Sequence, residues 1–305
     1  MSLVSLLRGS GPSGFGYGST AEEVTAGLDL TGKTYLLTGC NSGLGRETMR
    51  VLRLRGATVL GAGRTLERAK EACDEFGAKP IACELSEPKS VLACVAELQA
   101  AGARLDGIIC NAGIMALPKL AKQHGYELQF FTNHIGHFLL VTRLLPLLAA
   151  DGRVVVVSSN AHRRSPAEGI QFDNLRGEKS YNDWLAYGQS KLANLLFARQ
   201  LAKRLRGTGQ TANALHPGVI LTNLTRSMNP AMTFAMKLAS PLVFKNIPEG
   251  AATQCYVATH PSLGQATGEY FSHSNLEQST ALGKDMALAE RLWDVSERIV
   301  AEVTA

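Results

Sequence analysis

The stretch "YGQSK" sets a phenol, Tyr187, one helical turn before an ammonium, Lys191. It lies in a segment where Leu185, Leu192, Leu195, Leu196, Leu201 and Leu205 recur at roughly helical spacing until Gly207 stops the pattern. Residues four apart on such a helix share a face. A free phenol, with a reference pKa of about 10, is a poor proton donor near neutrality. A cation about 4 Å away, at an effective dielectric near 20, is worth about 4 kcal/mol, enough in the limit to lower that pKa by roughly three units. The pair therefore suits proton exchange with a reacting oxygen. Tyr-x-x-x-Lys also arises by chance, so the assignment needs further members elsewhere in the chain.

The elements that must position such a pair repeat along the chain. "KTYLLTG" reads as a buried strand, "GLGRETMRVLRLRG" as a helix, "ATVLGAG" as a strand and "LERAKEACDEFG" as a helix. "KPIACEL", "KSVLACVAELQAAG" and "LDGIICNAG" continue the alternation. A long helix through "QFFTNHIGHFLLVTRLLPLLA" follows, then the strand "GRVVVVSS", the helix of Tyr187 and the strand "TANALHPG". Strands apolar on both faces and separated by helices imply a parallel sheet covered on each side. The expected fold is α/β, a single-domain Rossmann-type doubly wound parallel sheet with helices on both faces.

The chain has 305 residues and 45% hydrophobic content, enough for a large core, and no linker divides it after residue 30. One catalytic domain over 31–305 is expected, preceded by a flexible Gly/Ser-rich arm over 1–30. The apolar start "MSLVSLL" is too short to span a bilayer, lacks the apolar core of a secretion signal, and no other run reaches spanning length. The net charge is +5, but its basic residues are scattered; Lys203, Arg204 and Arg206 cluster at a helix C-terminus that favours cations anyway. Nucleic acid is therefore not an expected partner. Six cysteines without a CxxC pair read as buried free thiols in a reducing cytoplasm.

"TGCNSGLGRE" joins the first strand to the first helix. Gly39 permits the tight turn, and Gly43 and Gly45 let a pyrophosphate approach backbone N–H groups at the helix start, beside Asn41, Ser42 and Leu44. The spacing Thr-Gly-x-x-x-Gly-x-Gly resembles that of the short-chain dehydrogenase/reductase family. At the end of the second strand, "GAGRT" offers Gly63 in place of the acid that would hold a ribose hydroxyl, and Arg64, whose fork of donors suits a 2′-phosphate. NADP is favoured over NAD.

The same resemblance implies the remaining roles. Glu84, with Leu85 after it, stands where the family has an Asp near the adenine. Asn111, Ala112 and Gly113 match the family's cofactor-side motif at the end of the fourth strand, and Pro217, Gly218, Val219 and Thr222 match the loop that holds the nicotinamide carboxamide. Tyr187 becomes the acid/base and Lys191 also binds the nicotinamide ribose. Ser159, second of the twin serines in "VVVVSSNAH", aligns with the serine that holds the substrate oxygen, and Asn133 with the residue that helps retain a water in a proton relay. His134 and His137 lack a third ligand of matching spacing, so packing is expected rather than a metal site. His162 reads as a polar loop residue, and no Gly-x-Ser-x-Gly supports a serine hydrolase.

Ser159 and Tyr187 are separated by a long loop that resembles the retinol dehydrogenase-like branch, as do "NHIGHF", "HPGV" and the C-terminal "LAERLWDVSERIV". The lead-in "STAEEVTAGLDLTGK" resembles relatives of the WW-domain oxidoreductase and import-associated dehydrogenases of chloroplasts. The stretch Ser227 to Lys245 matches a mobile lid, where Met228, Met232, Phe234, Met236, Leu242 and Phe244 would give an adaptable apolar wall; they would serve equally as a core- or dimer-facing helix. The expected reaction is hydride transfer between nicotinamide and a lipophilic aldehyde or ketone, or the corresponding alcohol. The resemblance also implies a homodimer or homotetramer. The rival reading is an NADP-binding regulatory or scaffold protein with vestigial activity.

Overall fold

The computed structural model describes residues 9–220 and 244–305. Strands and helices alternate in the expected order. In chain order they are α1 (Ala21–Val24), β1 (Thr34–Thr38), α2 (Gly43–Leu54), β2 (Thr58–Gly63), α3 (Leu66–Asp74), β3 (Lys79–Ala82), α4 (Pro88–Ala100) and β4 (Leu105–Cys110). A small hairpin, β5 (Lys122–Gln123) and β6 (Tyr126–Glu127), precedes α5 (Leu128–Phe130), a π-helical turn (Phe131–Ile135) and α6 (Gly136–Leu144). Then come β7 (Leu148–Val157), α7 (Asp183–Arg204), β8 (Thr211–His216), α8 (Ile247–Thr259), β9 (Tyr270–Ser272), β10 (Asn275–Leu276) and α9 (Met286–Thr304).

The main sheet runs β10-β9-β8-β7-β4-β1-β2-β3. Its pairs are parallel except β9 with β10, which closes one edge antiparallel. The chain starts in the middle at β1, moves outward to β3, and returns through β4 to build the other half. The crossovers therefore leave the sheet in opposite directions from β1 and β4, and a crevice opens outside their carboxyl ends. Apolar clusters cover both faces, one around Phe138, Leu196 and Trp293, the other around Met49, Leu52 and Tyr256.

Three local features differ from expectation. The long helix after residue 128 is interrupted by the π turn and ends at Leu144, because Pro146 cannot continue it; the apolar residues from Leu148 onward join β7 instead. The segment expected as a flexible arm is, over residues 9–30, laid on the domain. Thr20 and Glu23 form a capping box on α1, Ala21 and Val24 are buried, and Phe15 meets the Tyr256 ring edge-on at 5.6 Å. Asn275 stitches the arm down by accepting from Ser13 N–H and donating to the Phe15 carbonyl. Glycine and serine signal a flexible backbone, but the two aromatics among them find ring partners far away in sequence. Finally, His162 is buried, not a polar loop residue: its Nδ1 donates to the Ser159 carbonyl at 2.7 Å, and its ring packs edge-on to Tyr270. All six cysteines are buried and free. Among the described residues no helix is long and apolar enough to cross a membrane.

Candidate active site

The crevice at the carboxyl ends of β1 and β4 is a cleft of about 930 Å³. Its floor is the glycine turn. Gly39 has φ 72°, a left-handed conformation that favours glycine, and its N–H donates to the Ala62 carbonyl at 2.9 Å. A side chain at Gly45 would put its first carbon 2.1 Å from the Gly39 oxygen, so the helix start can sit this close only as glycine. Ser42 makes the first cap of α2 without a side-chain hydrogen bond, leaving N–H groups at the helix start for a ligand. Asn41, Gly43 and Leu44 line the same wall.

At the far end of β2, a side chain at Gly63 would meet Asn41 Oδ1 at 2.9 Å and Ala69 Cβ at 3.1 Å, so a larger residue there would have to displace the Asn41 side chain. Arg64 is 59% exposed at the cleft rim, with its Nε 3.6 Å from Glu84 Oε2. The Glu84 carboxylate also accepts from Ser86 Oγ at 2.9 Å, and buried Leu85 follows it. Arg68, four residues beyond Arg64 in the first turn of α3, lines the same rim. It went unread in the sequence, because Arg64 precedes the Thr65 cap of α3 and helical spacing does not relate the two.

Asn111, Ala112 and Gly113 lie between this floor and the catalytic candidates. Asn111 Nδ2 donates to the Thr38 carbonyl at 2.8 Å, binding the end of β4 to the glycine turn. A side chain at Gly113 would stand 3.1 Å from Asn133 Oδ1 and 3.4 Å from Lys191 Nζ, so glycine leaves room for both. Asn133 occupies the π turn and is fully buried. Its Nδ2 donates to the Ile114 carbonyl at 2.9 Å and to Ser190 Oγ at 3.0 Å, while its Oδ1 accepts the Ile114 N–H at 2.8 Å. Ser190 in turn donates to the Tyr187 carbonyl. Asn133 thus braces two walls against each other with its side chain.

Helix α7 begins at an Asn182 cap and presents Tyr187 and Lys191, 7% and 4% exposed, to the cleft. Lys191 Nζ donates to the Val157 carbonyl at 3.1 Å, as does Asn194 Nδ2, fixing the end of β7. The twin serines diverge: buried Ser158 donates to the Lys191 carbonyl at 2.7 Å, whereas Ser159 lies in the cleft, its hydroxyl accepting the Ala161 N–H at 3.1 Å. Burial pushes the Tyr187 phenol up to about 12, which the nearby Ser159 hydroxyl only partly offsets. Burial pushes the Lys191 ammonium down to about 8. The sequence suggested a phenol made acidic by its neighbour. In the protein alone desolvation is the largest cause and it raises the phenol, with the ammonium 5.7 Å from the ring centroid.

Pro217, Gly218 and Val219 close the cleft opposite. The side chain of Lys245 packs so tightly on Gly218 that a first side-chain carbon there would fall 2.7 Å from Lys245 Cδ. Thr222 lies outside the described residues, as do Met228, Met232, Phe234, Met236 and Leu242. Above the catalytic candidates the wall is formed by Ile114, Met115, Leu117 and Trp184, with the Trp184 ring edge-on to Tyr187 at 6.2 Å. Trp184 was legible in principle, since it precedes Tyr187 by three residues on the same helical face. His134 and His137 are buried with protein partners, Ser296 and Thr38.

A profile of the family described as "short chain dehydrogenase" matches residues 33–233. The short-chain dehydrogenase TIC 32 A, chloroplastic, of Brassica napus is 40% identical over 317 residues, covering 98% of this chain and 99% of that protein. Retinol dehydrogenase 14 of Homo sapiens is 40% identical over 295 residues, covering 89% of this chain and 87% of its own length. Among solved structures, an uncharacterized protein from Mycobacterium paratuberculosis superimposes with a TM-score of 0.74 at 30% identity, over 91% of this chain and 97% of that one. A Serratia marcescens short-chain dehydrogenase/reductase has the same fold, with a TM-score of 0.64 at 21% identity over 80% of this chain and 96% of its own.

Proposed function

The chain belongs to the short-chain dehydrogenase/reductase family, in its retinol dehydrogenase-like branch, and we propose that it is an NADP-dependent reductase of lipophilic aldehydes or ketones, able to run in reverse on the corresponding alcohols. The observation that carries this reading is the convergence of Tyr187, Lys191 and Ser159 with the glycine turn on one cleft.

The residues present suit the dinucleotide. The wall of Gly39, Asn41, Ser42, Gly43, Leu44 and Gly45 suits the pyrophosphate, with uncapped N–H groups at the start of α2. Arg64 would take the 2′-phosphate, with Glu84 and Leu85 beside the adenine. Asn111, Ala112, Gly113 and Lys191 would hold the ribose side, and Pro217, Gly218, Val219 and Thr222 the carboxamide. When bound, the dinucleotide supplies or accepts the hydride.

The protein's own part is the proton. A phenol held up to about 12 is protonated at neutral pH, so Tyr187 is an acid aimed at the substrate oxygen, the state that reduction requires. Ser159 would donate to the same oxygen, and the buried Lys191 ammonium would stabilise the phenolate left behind. Asn133 would help retain a water in the relay from Lys191. The apolar wall of Ile114, Met115, Leu117 and Trp184 suits a lipophilic body, and the name of the retinol dehydrogenase relative supports an alcohol or aldehyde of that kind. Six buried free thiols support a reducing compartment such as the cytoplasm.

The test is the loss of nicotinamide absorbance when the protein is mixed with NADPH or NADH and a panel of hydrophobic aldehydes. Turnover with NADPH exceeding that with NADH is expected. Tight NADPH binding with no turnover of any aldehyde would sink the reading.

A further inference from the structure

A buried chain of hydrogen bonds runs through His137, and the proton-transfer reading makes no use of it. His137 sits on α6 with 0% exposure. Its Nδ1 is 2.9 Å from the main-chain oxygen of Asn133, and its Nε2 is 2.9 Å from Thr38 Oγ1. A carbonyl oxygen can only accept, so Nδ1 carries the hydrogen. At the other end Thr38 Oγ1 accepts the N–H groups of Asn111 and Ala112, each at 3.0 Å. Those bonds occupy both lone pairs of the hydroxyl, and its single hydrogen faces Nε2; the Ile109 carbonyl is farther, at 3.4 Å. Both ends of the chain require the same neutral tautomer, each for its own reason.

We infer that His137 is a positioning residue for the reaction proposed above: in one fixed tautomer it locks the ends of β1 and β4, which frame the cofactor cleft, to the π turn that carries Asn133. Thr38 is the last residue of β1, immediately before Gly39, and Asn111 to Gly113 follow β4. On the other side, a π turn is a wider and rarer geometry than an α turn; here the Gly136 N–H reaches back five residues to the Phe131 carbonyl. A donor on the Asn133 carbonyl fixes the plane of its peptide, and with it the side chain that braces Ile114 against Ser190. The charged or titratable groups near His137 are Lys191 and His134, and neither offers it an anion. Burial pushes the imidazole down to about 4, against the Asn133 bond that favours charge, so the ring stays neutral while the cleft works.

The tautomer can be read without mutation. Long-range ¹⁵N NMR of the full chain labelled at histidine is expected to show His137 as the Nδ1–H form, unchanged between about pH 5 and about pH 9. An Nε2–H form, or titration in that range, overturns the wiring. Two substitutions separate the arms, because an Asn amide reaches the Nδ1 position and a Gln amide the Nε2 position. His137→Asn is expected to keep kcat within about 2-fold and raise KM for NADPH about 5-fold, as is Thr38→Val; His137→Gln is expected to lower kcat about 10-fold with KM for NADPH nearly unchanged. A packing role alone would lower Tm in both variants and leave kcat and KM as in the parent, and that result overturns the proposal. If neither variant folds, the spectrum of the unmodified chain decides. An unmodified chain inactive on every aldehyde counts against the reductase reading and leaves the tautomer result standing, so the two failures are told apart.

Discussion

Lys191 holds its ammonium 5.7 Å from the centroid of the Tyr187 ring while donating at 3.1 Å to the carbonyl of Val157. Both groups are nearly enclosed, and burial moves them in opposite directions: the phenol up to about 12, the ammonium down to about 8. Desolvation penalises the charged form of each, phenolate in one case and ammonium in the other.

The pH dependence follows from which group titrates first. Lys191 is charged below about 8 and neutral above it, whereas Tyr187 keeps its proton until about 12. The kcat/KM for NADPH, which reports the free enzyme, is expected to fall above about pH 8, roughly tenfold per pH unit. His134, at about 3, and His137, at about 4, are already neutral, so these two add no acid limb above about pH 5. A limb beginning near 10, or activity rising between 8 and 10, would show that the ammonium does not govern the profile.

Tyr187→Phe keeps the ring against Trp184 and removes the only proton it can give. NADPH affinity, measured by fluorescence titration, is expected to stay within about 2-fold while kcat drops on the order of a thousandfold. Retained turnover would move the acid elsewhere.

Arg64 is paired with Glu84 across the rim at 3.6 Å, which makes Glu84 a competitor for the guanidinium and a like charge beside any 2′-phosphate. An exposed pair of this kind is worth at most about 1 kcal/mol, so Glu84→Gln is expected to tighten NADPH by up to about 5-fold. Arg64→Asp is expected to shift preference toward NADH. Calorimetric titration with both dinucleotides checks each variant, and unchanged NADPH affinity in Arg64→Asp would remove that residue from the site.

Tyr17 ties the N-terminal segment to the domain. Its ring lies 4.8 Å from that of His273, and the Lys245 ammonium stands 4.9 Å over it. Tyr17→Ala is expected to cost about 2 kcal/mol and to lower Tm by roughly 5 °C in a thermal melt. A melt identical to the parent's would mean that the arm contributes nothing to the fold.

The glycine turn, the alternation of strands and helices and the Tyr187/Lys191 spacing were all legible in the sequence, because turn chemistry and helical period depend on residues a few positions apart. Helix-period leucines and a Gly207 stop sufficed to put phenol and ammonium on one face. Arg64 in place of an acid after β2 was readable for the same reason. The π turn was not: nothing in "QFFTNHIGHF" distinguishes it from an α turn until Asn133 finds Ile114 and Ser190, and His137 finds Thr38, from segments remote in the chain. The arm likewise read as flexible from its glycines, and over residues 9–30 it is contacts with distant residues, Tyr256, His273, Lys245 and Asn275 among them, that order it. The direction of the Tyr187 shift belongs to the same class. Spacing determined that a cation would be near the phenol, but the desolvation that outweighs it comes from walls assembled out of segments far apart in the chain, and only the folded chain brings those together.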